Sequence, residues 1–177
     1  DQQVRYKGDV SNGAFFIRNG GFTVLQHNPA DLQRLTQFKH GLSADGKMTG
    51  TPPPVTVRSH AWNVDFIGAS AGALVIPDKP LPTYNNYFIG SNPSKWAAEC
   101  KIFQGVTIKN IYPGVDVRYY TDRGTLKYDI LVQPGADPSR IALKYDGVNK
   151  IQVKNKELVV STSLADFKES APFTFQP

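Results

Sequence analysis

The chain has 177 residues, with 40% hydrophobic and 20% charged side chains and a formal net charge of +5. This is the size of one ordinary domain with its own core, and no apolar run approaches the roughly 20 residues of a bilayer-spanning helix, so no membrane insertion is expected. Its lysines and arginines are scattered, without the basic runs that track phosphates, and nucleic acid is not an expected partner.

The opening Asp1-Gln2-Gln3 is polar and no signal peptide is visible, as in a mature or trimmed chain. Ala14 to Gln26 reads as a β-hairpin, AFFIR and FTVLQ flanking Asn19-Gly20-Gly21, residues that tolerate the positive φ of a tight turn. One short helix follows near residues 29–40. Asn28 serves as its cap, Pro29 suits the first turn, Asp31 complements the N-terminal dipole, and Leu32, Leu35 and Phe38 share a face. Lys39, His40 and Gly41 end it, and Leu42 to Pro54 reads as a loop closed by three prolines.

From there the periodicity is two. Trp62, Val64 and Phe66 alternate with Asn63 and Asp65, and Ala73 to Ile76 reads as a brief strand. The prolines from Pro77 to Pro82 are expected to break regular structure, and they mark a weak sub-boundary at 77–82. Lys101 to Lys109 carries Phe103, Val106 and Ile108. Val115, Val117 and Tyr119 form one stripe, then Leu126, Tyr128, Ile130 and Val132, then Ile141, Leu143 and Tyr145. Ile151 and Val153 are expected to face Leu158 and Val160 across Asn155-Lys156. Ala171 to Gln176 alternates like the start of a strand, with Phe173 and Phe175 on one face. The pattern predicts a mostly β, antiparallel, sandwich-like two-sheet module with one short helix, continuous over residues 1–177.

Residue chemistry offers few sites. Cys100 is the lone cysteine, set in AAECKIF as a small core residue, with His27, His40 and His60 all distant in sequence. The histidines lack metal spacing. Ser43-Ala44-Asp45-Gly46 and Gly135-Ala136-Asp137 each supply a single carboxylate, which suits a turn that bonds its own backbone better than calcium. No dinucleotide fingerprint or P-loop is present, and no cofactor is expected. Asp116 and Asp129 project from polar strand faces; a glycosidase would need two carboxyls about 5 to 10 Å apart, whereas Arg118, Arg123 and Lys127 nearby suit cross-strand ion pairs. Trp96, after the Asn92-Pro93-Ser94 turn, reads as a core plug, or with Tyr84 and Tyr87 as a sugar-stacking platform. Tyr119 and Tyr120 must face opposite sides of their strand, and Tyr120 with Arg118 and Arg123 suits an exposed binding surface or, equally, a contact with the next domain of the same chain.

YFIGSNPSKW, YPGVDVRYY and YDILVQPGADPSRI together resemble the N-terminal module of large secreted or cell-surface bacterial proteins that carry SBBP-type propeller repeats or PKD-type domains downstream. The resemblance covers roughly Ser59 to Gln176, and its motifs mark turns and strands. It implies export, a Bacteroidota-like cell envelope, and a place near the start of a longer polypeptide, so that further strands would follow Phe175. The expected function is a non-enzymatic extracellular structural or interaction module. Its partners would be downstream domains of the same chain, surface polysaccharide or other envelope proteins. A carbohydrate-binding module using Trp96 and exposed tyrosines, and a glycoside hydrolase using Asp116 and Asp129, are the alternatives.

Overall fold

The computed structural model describes residues 3–39 and 56–176. The first strands are β1 (Tyr6–Val10), β2 (Gly13–Arg18) and β3 (Gly21–His27), followed by helix α1 (Pro29–Lys39) and β4 (Ser59–Phe66). Next come β5 (Leu74–Pro77), β6 (Pro80–Tyr87), β7 (Ala97–Phe103), β8 (Gly105–Tyr112), β9 (Val115–Asp122) and β10 (Thr125–Val132). The last are β11 (Leu143–Asp146), β12 (Lys150–Lys154), β13 (Glu157–Ser161) and β14 (Asp166–Glu169). Among the described residues the fold is mostly β, built from antiparallel sheets with a single short α-helix.

Two sheets enclose the core. One has the order β1-β2-β3-β4-β11, the other β10-β9-β8-β5. Strand alternation sends Phe15, Ile17, Phe22, Val24, Trp62, Val64 and Phe66 inward from the first sheet. Val106, Ile108, Val115, Val117 and Tyr119 meet them from the second. The layers touch edge to face, Phe22 on Tyr119 at 5.4 Å and Phe66 on Tyr112 at 6.3 Å. The Tyr112 hydroxyl stitches the sheets together by donating to the Ile67 carbonyl at 2.7 Å. A third sheet, β12-β13-β14, buries Val159 and Val160 and lays Phe167 on Trp62 at 5.1 Å.

Most turns follow their sequence. Ile151 pairs with Val160 and Val153 with Leu158 across Asn155-Lys156, both at positive φ, as their hairpin requires. Asn28 Oδ1 accepts from the Ala30 and Asp31 N–H groups at 3.1 and 3.2 Å and so caps α1. The β2–β3 hairpin also forms, but Asn19 and Gly20 turn without positive φ. There the glycine carbonyl is used outward, accepting from the Phe66 N–H at 2.9 Å. At Gly13 the requirement is space, since an added Cβ would lie 2.0 Å from the Leu25 carbonyl oxygen.

Three sequence expectations are corrected. The Pro77–Pro82 stretch does not break the strand pattern: only Asp78 and Lys79 leave it, and Pro80 opens β6. Lys101 to Lys109 is not one strand but the end of β7 and the start of β8, with Gln104 between. Ala171 to Gln176 forms no strand; Phe173 and Phe175 do share a side, but among the described residues they stack only on each other, at 5.9 Å, and are exposed. The loop at Leu42–Pro54, with Ser43–Gly46, His40 and Gly41, lies outside the described residues.

Candidate functional site

Strands β5 and β8 do not stop at the sheet margin. Leu74 pairs with Lys109, Pro77 with Val106 and Pro80 with Phe103, so one pairing frame runs on into β6 and β7. The result is a two-stranded arm that projects from the sandwich. Every residue from Lys79 to Glu99 is exposed, although this stretch holds Leu81, Tyr84, Tyr87, Phe88, Ile89 and Trp96.

The base of the arm is clamped. Asp78 donates its N–H to the Gly105 carbonyl at 2.9 Å, and its Oδ2 accepts from Arg118 Nε at 2.7 Å. The Arg118 guanidinium also lies over the Tyr120 ring, 4.9 Å from its centroid. Tyr6 packs edge-on against Phe103 at 5.9 Å. Arg118 and Tyr120 therefore serve first as anchors of the arm. Burial, with Asp129 beside it, raises the Tyr120 phenol above its ordinary pKa.

The tip is preassembled. Asn92 Oδ1 accepts from the Ser94 N–H at 3.0 Å, Lys95 and Trp96 donate their N–H groups to Asn92 and Pro93 carbonyls, and Pro93 has no N–H. Phe88 meets Trp96 edge-on at 5.6 Å, and Trp96 Nε1 donates to the Gly90 carbonyl at 3.1 Å. The indole can thus leave water without orphaning its donor. Trp96 is 42% exposed, so it is a surface knob and not the core plug its turn suggests. The same turn recurs at Asp137-Pro138-Ser139-Arg140, where Asp137 Oδ1 accepts from the Ser139 N–H at 2.9 Å. There the following residue, Ile141, packs against the core.

The backbone edges of the arm are unsuited to strand addition, unlike its side-chain faces. Pro80 and Pro82 lack N–H groups on β6. On β7, Glu99 has φ 54° and its N–H is taken by Asn86 Oδ1 at 2.8 Å.

At the base, a cleft of about 300 Å³ lies between β1, β7 and β9, lined by Tyr6, Lys7, Tyr87, Cys100, Lys101 and Tyr120 among others. It brings Tyr87 and Tyr120 together; Tyr84 and Trp96 lie elsewhere on the arm, and Arg123 sits in the β9–β10 turn at φ 48°. Cys100 is half-buried in this cleft, which corrects its reading as a core residue.

The two carboxylates share the outer face of the β9–β10 pair but differ in state. Asp116 is buried, bonded to Lys109 Nζ at 2.7 Å and the Asn110 N–H at 2.8 Å. Its partner is thus Lys109, not Arg118, Arg123 or Lys127. Asp129 is exposed, opposite Arg118, and accepts from the Tyr120 hydroxyl at 3.3 Å. His60 is used structurally: Nε2 donates to the Gly147 carbonyl at 2.7 Å, leaving Nδ1 to accept from Ser163. Among the described residues no group of three His, Cys, Asp or Glu side chains could hold a metal ion, and no helix is long and apolar enough to cross a membrane.

Asp78 and the arm itself were not singled out in the sequence. The available signal was a 24-residue stretch, Pro80 to Phe103, with only Lys95, Glu99 and Lys101 charged.

Fold and arm together define a β-sandwich module with a projecting aromatic ribbon. The chain belongs to the family described as a domain of unknown function, DUF7948, whose model it matches over residues 1–177. No curated protein and no solved structure shows significant similarity to it.

Proposed function

We propose that this chain is a non-enzymatic interaction module of a secreted or cell-surface bacterial protein, and that the β6–β7 arm packs against a neighbouring domain of the same polypeptide. The observation that carries the reading is the tip, where Phe88, Ile89 and Trp96 are exposed while Trp96 Nε1 and the turn's backbone donors are bonded internally. Such a surface gains by burial against an apolar partner, and the Trp96 indole and the Ser94, Lys95 and Trp96 N–H groups keep their hydrogen bonds on leaving water. Ile89 and Phe88 offer nothing to a sugar hydroxyl, which favours a protein partner over polysaccharide. Ion pairing of Asp116 with Lys109 favours a structural over a hydrolytic role for that carboxylate. The export part of the reading rests on the resemblance of the YFIGSNPSKW, YPGVDVRYY and YDILVQPGADPSRI segments to surface-protein modules.

Hydrogen exchange on this chain and on a polypeptide extended through its natural following domain tests the reading. The arm amides from Leu81 to Glu99 are expected to gain protection in the longer chain, and Phe88→Ala with Trp96→Ala to abolish the gain. Equal exchange in both lengths would refute it. Binding to a glycan array that is lost with Trp96→Ala would favour the carbohydrate-binding alternative.

A further inference from the structure

Every sheet edge among the described strands but one is short or obstructed. Edge strands β5, β11 and β14 have four residues and β1 and β12 five, while β6 carries prolines and β7 its bulge at Glu99. The exception is β10. It has eight residues, no proline and no bulge, and pairs with β9 without a register shift from Thr125↔Asp122 to Val132↔Val115. Its other side carries no strand among the described residues. A regular, unobstructed edge is a template for another strand.

The direction of its backbone groups follows from the two-residue Arg123-Gly124 turn. The pair flanking such a turn exchanges backbone hydrogen bonds, so Thr125, Lys127, Asp129 and Leu131 bond to β9. Leu126, Tyr128, Ile130 and Val132 therefore turn their N–H and C=O groups outward.

We infer that β10 is a self-association edge, where a second copy of this chain pairs antiparallel about Tyr128 to make one continuous eight-stranded sheet. Charge selects the occupant and the register. Lys127 has no ion partner among the described residues, and Asp129 only a 3.3 Å hydroxyl contact. Pairing about Tyr128 places Lys127 opposite Asp129 of the second copy, and the two-fold axis repeats the pair. Those are non-hydrogen-bonded positions, where side chains approach most closely. The outward groups of Leu126, Tyr128 and Ile130 then meet Ile130, Tyr128 and Leu126 of the second copy, making about six backbone bonds. Exposed Leu131 comes to lie against Thr125 of the second copy. This inference is independent of the arm.

Sedimentation across a concentration series tests it on the chain as it is. Dimer is expected, weakened about tenfold by either Lys127→Glu or Asp129→Lys and recovered by the two together, since each single change sets like charges opposite at both symmetric sites. Melting curves of the same variants separate loss of pairing from loss of fold, and the double variant keeps the test valid if one single variant is unstable. Hydrogen exchange should show Leu126, Tyr128 and Ile130 amides protected only at high concentration, with Lys127 and Asp129 amides protected throughout. A chain that stays monomeric at about millimolar concentration, well above the range of ordinary specific complexes, would overturn the inference. So would a dimer indifferent to the charge changes, or one that protects other amides.

Discussion

Arg58 holds Asp31 by three contacts: its backbone N–H and its Nε reach Oδ2 at 3.0 and 2.9 Å, and its Nη2 reaches Oδ1 at 3.2 Å. Arg34 adds a fourth from the next turn of α1. Through this carboxylate, which is fully buried under the two guanidinium groups, the first turn of the helix is tied to the residue preceding β4.

The Arg58 side chain and N–H, with Arg34, hold the Asp31 carboxyl well below the usual carboxylate range. A depressed folded-state pKa contributes stability above the unfolded value, about 3.9, that is lost as pH falls below it. Asp31→Asn is therefore expected to melt several degrees lower than the parent at neutral pH. The gap should close as pH falls below about 4. Melting curves for both proteins between pH 7 and pH 2 check this; parallel curves would mean that Asp31 is not ionically linked to folding.

A second carboxylate joins three sheets. Tyr145 of β11 donates to Glu169 Oε1 at 2.7 Å and Tyr128 of β10 to Oε2 at 2.8 Å, while Glu169 itself belongs to β14. Each Tyr→Phe change is expected to cost about 1 to 2 kcal/mol, toward the lower end for bonds to a charged group because Glu169 is only half-buried. Because both bonds share one acceptor, the double variant should depart from additivity. Burial first, then Glu169, raises both phenols above their ordinary pKa. A raised folded-state value contributes stability that is complete below the unfolded pKa, about 10, and lost above it. Denaturant titrations at pH 7 and at rising alkaline pH should show the double variant with the flatter alkaline limb. An unchanged limb would remove these phenols from the linkage.

What the sequence makes legible here is local. Trp62, Val64 and Phe66 announce their inward face because period two is a property of the strand itself, and Asn28 announces α1 because its cap reaches only two or three residues ahead. The tip turn is legible as a turn for the same reason. Whether a core lies beneath it is not: equivalent Asn/Asp-Pro-Ser caps precede exposed Trp96 and core-packed Ile141. Pro80 and Pro82 read as breakers because proline lacks an N–H, yet on a strand with one free side that loss is tolerated. The Glu169 junction joins residues 24 and 41 positions apart, and the Arg118–Asp78 clamp spans 40. No periodicity in the chain encodes such distances.

Cys100 offers a direct check on the cleft. Its thiol is half-buried, with Sγ 3.9 Å from the Ala98 carbonyl oxygen. A disulfide-exchange reagent such as Ellman's is expected to label it to completion in the native protein, more slowly than in denaturant, because the cleft is open to solvent at one side. Labelling should leave the melting temperature nearly unchanged, since the label would fill the cleft without displacing the core. A thiol that reacts only after unfolding would restore Cys100 to the core and close the cleft.

The two tryptophans divide stability from recognition. Trp62 is 6% exposed, packed on Phe167 and beside His60, whereas Trp96 is 42% exposed on the arm and touches Phe88. Removing Trp62 leaves a cavity between the first and third sheets, and Trp62→Ala is expected to cost about 3 to 5 kcal/mol. Trp96→Ala removes a ring from a surface ribbon and should change stability by no more than about 0.5 kcal/mol. Fluorescence separates them, because these are the only two tryptophans in the chain. Trp96→Ala should leave blue-shifted emission that acrylamide quenches poorly, and the parent should show an additional, readily quenched component. If Trp96→Ala instead unfolds the protein, the indole supports the sandwich, and the arm cannot be the free surface that its exposure indicates.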